Sequence, residues 1–421
     1  MLILAFVLAA TQADTSALGP RLSLQTVVAR TLAYSPAIAS AHGAVRDASA
    51  ARRVALGAYL PSLSLSSSAG WNDPSSPASL SSTSPTNTYG AGVAASLDLF
   101  TGGRRAAQRS VADAETRAAD AGWVFERYST ILMAKQGYFA VIRARELVQV
   151  AQEFVAAAEL GFTYATDRAA TGTATRSDVL RARLAVAAAR RQWLAAEDTL
   201  AMAGAGLGRL VGADGPVDVE PLASLNPTPL ALSDSALRAL APAVAPLVVA
   251  ADAQAVAGAA LVRSSRSQYV PTISAGAGYN WANAVNASAA TRAGWVFAIT
   301  TSFPLFNGFV REASVTHAEA VADVARVASA DTRRFIRAEA QRLLGNLHVA
   351  EQDIGLTRES VQLAREDLRV IQTRYRAGIA TILDVLASQT ALVQSELDLV
   401  SAQFTYQIAR ASLEALLGRD L

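Results

Sequence analysis

"TGTATRSDVL", residues 171–180, and "AGIATILDVL", residues 377–386, are one short motif written twice. Gly172, Ala174, Thr175, Asp178, Val179 and Leu180 recur as Gly378, Ala380, Thr381, Asp384, Val385 and Leu386, each 206 positions on. Each copy ends a long helix-like run, and a duplication at half the chain length governs the reading of everything around it. Outward from the motif the halves stay in step. Leu99–Gly103 ("LFTGG") matches Leu305–Phe309 ("LFNGF"), and the 206-residue offset then runs without a gap to Gly212 and Gly418. Further back the offset is 210: "YLPSLS" from Tyr59 matches "YVPTIS" from Tyr269, Pro36 matches Pro246, and Leu22-Ser23 matches Leu232-Ser233. The four-residue difference falls in a loop that tolerates deletion.

Within each half the apolar period changes. From Leu63 and from Ile273 it is two: Ile273, Ala275, Ala277, Tyr279 and Trp281 share one face, with Thr272, Ser274, Gly276, Gly278 and Asn280 on the other. Trp295, Phe297, Ile299 and Phe303 alternate in the same way with Ala298, Thr300 and Ser302. Strands of about ten residues that are apolar on one face and small or polar on the other are the pattern of a transmembrane barrel with a polar lumen. The joining loops, "NDPSSPASLSSTSPTNT" and "ANAVNASAATRA", read as solvated. Trp71, Trp281 and Trp295 read as interfacial anchors.

After the Leu-Phe motifs the period is helical for roughly 65 residues, about 100 Å of helix at 1.5 Å per residue. Leu347, Ile354, Val361, Leu368 and Tyr375 are spaced in sevens, and so are Val349, Leu356, Leu363 and Val370. Val141, Val148, Val155 and Phe162 repeat the first stripe in the first half. Past the motif, Val385, Leu392, Leu399, Tyr406 and Leu413 continue in sevens, matched by Val179, Val186, Trp193, Leu200 and Leu207. Sustained sevens mean supercoiled helices, and two stripes on one helix require a neighbour on each side.

These patterns divide the chain. Residues 1–13 hold an apolar run and a small-x-small site and read as a signal peptide. The first repeat, 22–212, holds helix 22–57, strands 59–72 and 87–100, long helix 103–170, turn 171–175 and helix 176–211. A Pro-rich connector covers 213–231. The second repeat, 232–418, holds helix 233–266, strands 269–283 and 292–305, long helix 309–376, turn 377–381 and helix 382–417. No window holds the ~18 to 20 uninterrupted apolar residues of a spanning helix, so any membrane crossing falls to strands.

Composition excludes several functions. The net charge is +2, and all but Lys135 of the 37 basic residues are Arg, scattered without the basic run of a nucleic-acid groove. There is no cysteine, hence no disulfide, thiolate metal site or lipid anchor on Cys. His42, His317 and His348 lack metal-ligand spacing, and no catalytic set or phosphate loop is found, so no enzyme activity, metal or cofactor is expected.

Duplicated strand pairs, paired long helices, the connector and the doubled Gly-x-Ala-Thr-x-x-Asp-Val-Leu turn together resemble the outer membrane efflux protein (TolC-like) family, from about Leu22 to Gly418. The resemblance implies a mainly α protein with a small membrane β-barrel portion: long coiled-coil helices in an α-barrel, plus four transmembrane strands per protomer. A homotrimer then closes a 12-stranded barrel, since four strands alone close none. It implies a passive conduit in the cell outer membrane, its helical tunnel in the periplasm, serving tripartite efflux or type I secretion. The implied partners are outer membrane lipid, a periplasmic adaptor (membrane fusion) protein and an inner-membrane transporter of RND, ABC or MFS type. Gly172, Ala174, Thr175, Asp178, Val179, Leu180, Gly378, Ala380, Thr381, Asp384, Val385 and Leu386 then form the adaptor-docking tip. Tyr375 and Asp178 fall where relatives tie the closed tip, and Asp384 where they carry an acidic ring. Ala380 and Ala387 stand where the best-known relatives carry an Arg and a second acidic residue. Helix capping accounts for the same turn residues equally well, because Thr175-x-x-Asp178 and Thr381-x-x-Asp384 are capping-box patterns. The rival reading is a periplasmic coiled-coil structural or adaptor protein of an export complex.

Overall fold

The computed structural model describes residues 21–72, 86–221, 226–230, 232–285 and 292–421. The expected signal peptide and the middles of both joining loops lie outside the described residues. The elements run β1 (Arg21–Leu22), α1 (Leu24–Tyr34), α2 (Pro36–Gly57), β2 (Ser62–Asn72), β3 (Thr86–Phe100), α3 (Arg104–Ala170), α4 (Arg176–Leu210) and β4 (Asp218–Val219). They continue with α5 (Asp234–Val244), α6 (Pro246–Arg266), β5 (Thr272–Val285), β6 (Arg292–Ser302), α7 (Val310–Arg376) and α8 (Ile382–Leu417). The chain divides into two compact units. Of the described residues, one holds those of 21–40, 124–245 and 336–421, the other those of 41–123 and 246–335.

Two expectations from the sequence are corrected. The helices expected over 22–57 and 233–266 are each broken, at Ser35 (φ −70°, ψ 122°) and at Ala245 (φ −56°, ψ 129°), both outside the helical region. Pro36 and Pro246 are the cause: a proline ring clashes with a helical residue before it, yet suits the first position of the next helix. The strands expected over 59–72, 87–100, 269–283 and 292–305 run 62–72, 86–100, 272–285 and 292–302. Tyr59-Leu60-Pro61 is a turn, with the Leu60 amide donating to Gly57 O, and Ser267–Tyr269 is a 3-10 turn. Pro304, which has no amide to give a ladder, follows the end of β6. Asp234–Tyr269 is apolar on average, but Arg238, Pro242, Pro246 and Asp252 interrupt it, so it holds no uninterrupted apolar run of spanning length. Its many alanines and Gly258 permit close packing: a Cβ on Gly258 would lie 3.0 Å from Ala322 Cα on α7.

In the unit of residues 41–123 and 246–335, the sheet order is β2-β3-β5-β6, antiparallel throughout. The register pairs Leu65 with Val93, Val93 with Tyr279 and Tyr279 with Trp295, so these residues share one face. Trp295 meets Tyr279 at 5.1 Å and stacks on Phe297 at 6.0 Å. Leu63, Leu65, Trp71, Phe297 and Ile299 are exposed on that same face. The opposite face carries Ser62, Ser64, Ser66, Gly92, Ser96, Gly276, Gly278 and Ala298, and the Ser64 and Ser66 hydroxyls turn back onto Ala94 O and Gly92 O.

In the other unit the connector is not a free loop. β4 pairs parallel with β1, placing Arg21 opposite Asp218. Asp218 is buried and takes Arg21 Nε at 3.1 Å and the Arg145 guanidinium, while Tyr138 Oη donates to Glu220 O at 2.7 Å. Beyond β4, Thr228 O accepts from Tyr406 Oη at 2.8 Å. The core here joins Val27, Tyr138, Phe139, Ile142, Leu207, Val219 and Phe404. A second cluster packs Leu347 and Ile354 against Tyr406. Along α3, Ala144, Ala151, Ala158 and Ala165 form a buried seam in sevens, small enough for close helix approach.

The two stripes of α7 have opposite fates. Leu347, Ile354, Val361, Leu368 and Tyr375 are 2–8% exposed, whereas Val349, Leu356, Leu363 and Val370 are 39–67% exposed. Replacing Gly258 by Leu should force α6 from α7 and cost about 1–3 kcal/mol, read as a lower unfolding midpoint of the detergent-solubilised protein. An unchanged midpoint would contradict the close α6–α7 packing.

Candidate functional site

Both copies of the motif build the same turn. Gly172 (φ 74°) and Gly378 (φ 81°) sit in the left-handed region, which a side chain disfavours. In the first turn Gly172 N donates to Ala169 O and Thr173 N to Arg168 O; in the second Gly378 N donates to Tyr375 O and Ile379 N to Arg374 O. These paired bonds are the Schellman closure, which satisfies carbonyls a helix end leaves open. Three residues later a capping box starts the next helix. Asp178 N donates to Thr175 Oγ1 (3.2 Å) and Asp178 Oδ2 accepts from Thr175 N (2.9 Å); Asp384 and Thr381 repeat both bonds at 3.3 and 2.7 Å.

Arg168 joins the two turns. Its guanidinium donates to Thr173 O in the first turn (2.9 Å) and to Tyr375 O at the end of α7 (2.8 Å), and lies 4.6 Å from the Tyr375 ring centre. Arg376, the last residue of α7, answers in the opposite direction, stacking 4.5 Å over Tyr164 of α3 and donating to its hydroxyl. Two crossed Arg–Tyr pairs therefore fasten α3 to α7 where both helices end. Beneath them Ala165, Ala182, Tyr375, Ile382 and Val385 form a small apolar core.

Within the protomer Tyr375 and Asp178 do not pair. Tyr375 is only 3% exposed and its hydroxyl has no hydrogen-bond partner among the described residues, while the Asp178 carboxylate is spent on its own capping box. Burial holds the Tyr375 phenol above its usual range, so it stays neutral. Hydrogen bonds from the Thr175 backbone and hydroxyl hold Asp178 below the usual carboxylate range, with Arg181 and Arg168 adding attraction. Thr381 does the same for Asp384, with Arg374 nearby. Val385 is buried at the base of this core, while Leu180 is exposed and Ala174, Val179, Ala380 and Leu386 are partly covered. Arg168 was not singled out from the sequence. Its one available signal was position: Arg168 and Arg374 are equivalent across the repeat, each in the last turn of its helix.

Among the described residues no group of acidic residues and histidines is placed to hold a metal. The doubled turn and the duplicated helices around it find their match in a known family. The outer membrane efflux protein model matches residues 27–213 and again 237–419. The chain belongs to that family. Protein CyaE of Bordetella pertussis (strain Tohama I) is 27% identical over 389 residues, covering 88% of this chain and 78% of CyaE. Among solved structures, CusC aligns with a TM-score of 0.82 at 20% identity, covering 94% of this chain and 92% of its own. VceC from Vibrio cholerae aligns with a TM-score of 0.79 at 20% identity, covering 94% and 96%. Such likeness fixes the TolC-like fold. The family is one of transport conduits and not of enzymes; its members are outer membrane proteins that form trimeric channels working with adaptors and inner-membrane transporters.

The capping boxes give the turns a defined pH response. A carboxylate whose folded pKa is depressed contributes stability that is complete above its unfolded value, about 3.9, and is lost as pH falls through the lower folded value. Exchange-corrected protection of the amides of 175–179 and 381–385 is therefore expected to hold from pH 7 to about 5 and fall below about 4. Thr175→Ala should lose the first-turn protection at every pH, a cost of about 1 kcal/mol. Protection that rises on acidification would contradict the capping-box assignment.

Proposed function

We propose that the chain is one protomer of a homotrimeric outer membrane conduit that carries cargo from an inner-membrane transporter, through a periplasmic adaptor, to the exterior. The observation that carries this reading is that the protomer is unfinished on two counts. Its four-stranded sheet leaves β2 and β6 as open edges, and α7 leaves a stripe of Val349, Leu356, Leu363 and Val370 uncovered. Open edges are intolerable in hydrocarbon, where every backbone donor and acceptor must be paired. Three copies pairing β6 of one with β2 of the next give a closed 12-stranded barrel, and the same rotation lays each exposed stripe against a neighbour.

In this reading the two turns face the adaptor. Gly172, Ala174, Thr175, Asp178, Val179 and Leu180, with Gly378, Ala380, Thr381, Asp384, Val385 and Leu386, form its docking surface, and the exposed Ile379 adds an apolar knob to the second turn. Arg168 and Tyr375 take the restraining role at the gate, because Ala380 and Ala387 supply no charge and Asp178 is committed to its cap. Asp384 lines the constriction as one acidic ring.

Three measurements test this. Leu356→Glu combined with Leu363→Glu removes about 1.5–3 kcal/mol of burial per side chain and adds charge, so trimers should be lost on native gels; intact trimers contradict the seam. Arg168→Ala removes about 2 kcal/mol of restraint, a change of roughly 30-fold in the closed-to-open balance, visible as larger single-channel conductance in planar bilayers. Conductance equal to the parent rules out Arg168 as a latch. Asp384→Ala should lower cation preference, and unchanged ion selectivity removes Asp384 from the gate.

A further inference from the structure

The junctions between the last strand and the long helix of each repeat share a left-handed pair of residues and an exposed Leu-Phe before it (Leu99 and Phe100, Leu305 and Phe306), and differ in charge and in what occupies the second left-handed position. In the first, "LDLFTGGR" (97–104), Gly102 and Gly103 take φ of 60° and 87°; in the second, "FPLFNGFV" (303–310), Gly308 and Phe309 take 65° and 64°. Phe309 is the one non-glycine residue at positive φ among the described residues. A bulky side chain is disfavoured there, so the fold requires the conformation and the second repeat tolerates the strain in order to place a phenyl ring. The equivalent positions differ consistently. Asp98, Gly103 and Arg104 become Pro304, Phe309 and Val310, which deletes the Asp98–Arg104 ion pair (3.3 Å) and leaves no charge from 303 to 310.

The ring so placed packs on nothing in the core. Phe309 is 69% and Phe306 73% exposed, the two meet edge to face at 5.6 Å, and Leu305 and Val310 beside them are exposed too. The first charge follows at Arg311, which turns inward, donating to Pro304 O (3.2 Å) and lying 4.4 Å from the Tyr269 ring centre. This patch prolongs the apolar row of β6, in which Trp295, Phe297 and Ile299 are exposed. We propose that the β6–α7 junction is a membrane anchor, with Phe306 and Phe309 set into the headgroup–acyl boundary of the phospholipid leaflet on the helical side, while the charged β3–α3 junction stays in water. Aromatic rings settle at that depth, and a rigid turn holds them there at little further entropic cost. The proposal rests on the outer membrane reading above. It gives a trimer three fixed anchors set by one repeat only.

The absence of cysteine makes a direct test available. Phe309→Cys, Val310→Cys, Arg104→Cys and Phe297→Cys are spin-labelled in phosphatidylethanolamine/phosphatidylglycerol vesicles, and collision with oxygen is compared with collision with a water-soluble nickel chelate. The oxygen-to-nickel ratio at 309 and 310 is expected to match that at 297 and to exceed that at 104 several-fold. Nickel-accessible 309 and 310 beside a lipid-exposed 297 overturn the anchor and leave the barrel standing. Exclusion of both reagents at 309 with spin–spin broadening means that a second copy covers the patch, which also overturns it. A nickel-accessible 297 sinks the membrane reading itself. Should a labelled variant fail to assemble, Phe309→Gly takes the left-handed turn without strain. Its easier extraction from the same vesicles supports the anchor, and unchanged extraction rejects it.

Discussion

A backbone amide or carbonyl that enters hydrocarbon without a partner costs several kcal/mol, and a four-stranded sheet has two full edges of them. That constraint orders the rest of this protein. The sheet sets hydroxyls and glycines on one face and aromatic and aliphatic side chains on the other, yet β2 and β6 stay unpaired within the chain. A soluble fold would cover those edges or blunt them with charge. Here they are long and, apart from Arg292 at the start of β6, uncharged, as the proposed closure of β6 on β2 of the next copy requires. The uncovered stripe of α7 poses the same requirement in helical form, since Leu356 and Leu363 are largely exposed while their neighbours Ile354 and Val361 are buried.

Duplication supplies the parts economically, and the differences between copies carry the specialisation. Both turns use one glycine closure and one Thr-Asp capping box, which fix the end of each helical pair without any outside contact. The crossed Arg–Tyr pairs do not follow the repeat: Arg168 reaches Tyr375 and Arg376 reaches Tyr164, whereas the repeat equivalent of Tyr375 is Ala169. The fastening of α3 to α7 is thus a property of the two halves together. The strand–helix junctions diverge likewise: Phe100 is followed by Arg104 in an ion pair with Asp98, whereas Phe306 is followed by a second exposed ring, Phe309.

Much of this was legible in the sequence because its signals are periodic. Sevens from Leu347 to Tyr375 and alternation from Ile273 to Trp281 each need only one chain to be read, and the doubled turn announces its own cap. What escaped was of two kinds. The breaks at Ser35 and Ala245 were written in Pro36 and Pro246, but apolar periodicity runs straight through them and masks the steric signal. The β1–β4 pair and the Arg168 contacts had no local signal, since two-residue strands 197 positions apart and an arginine reaching a carbonyl 207 positions on are set by tertiary packing. Within the protomer Tyr375 and Asp178 do not meet, because a capping aspartate beside its own threonine finds a nearer donor.

The central claim is that the sheet is completed only by copies of itself, and cross-linking across the edge tests it most directly. One cysteine is placed in β2 at 62, 64, 66 or 68 and one in β6 between 294 and 300 of the same cysteine-free chain, and the protein is oxidised in outer membranes. The account predicts that some pair gives a ladder of covalent dimers and trimers that stops at three. Only monomers across the whole scan, or a ladder running past three, would contradict it.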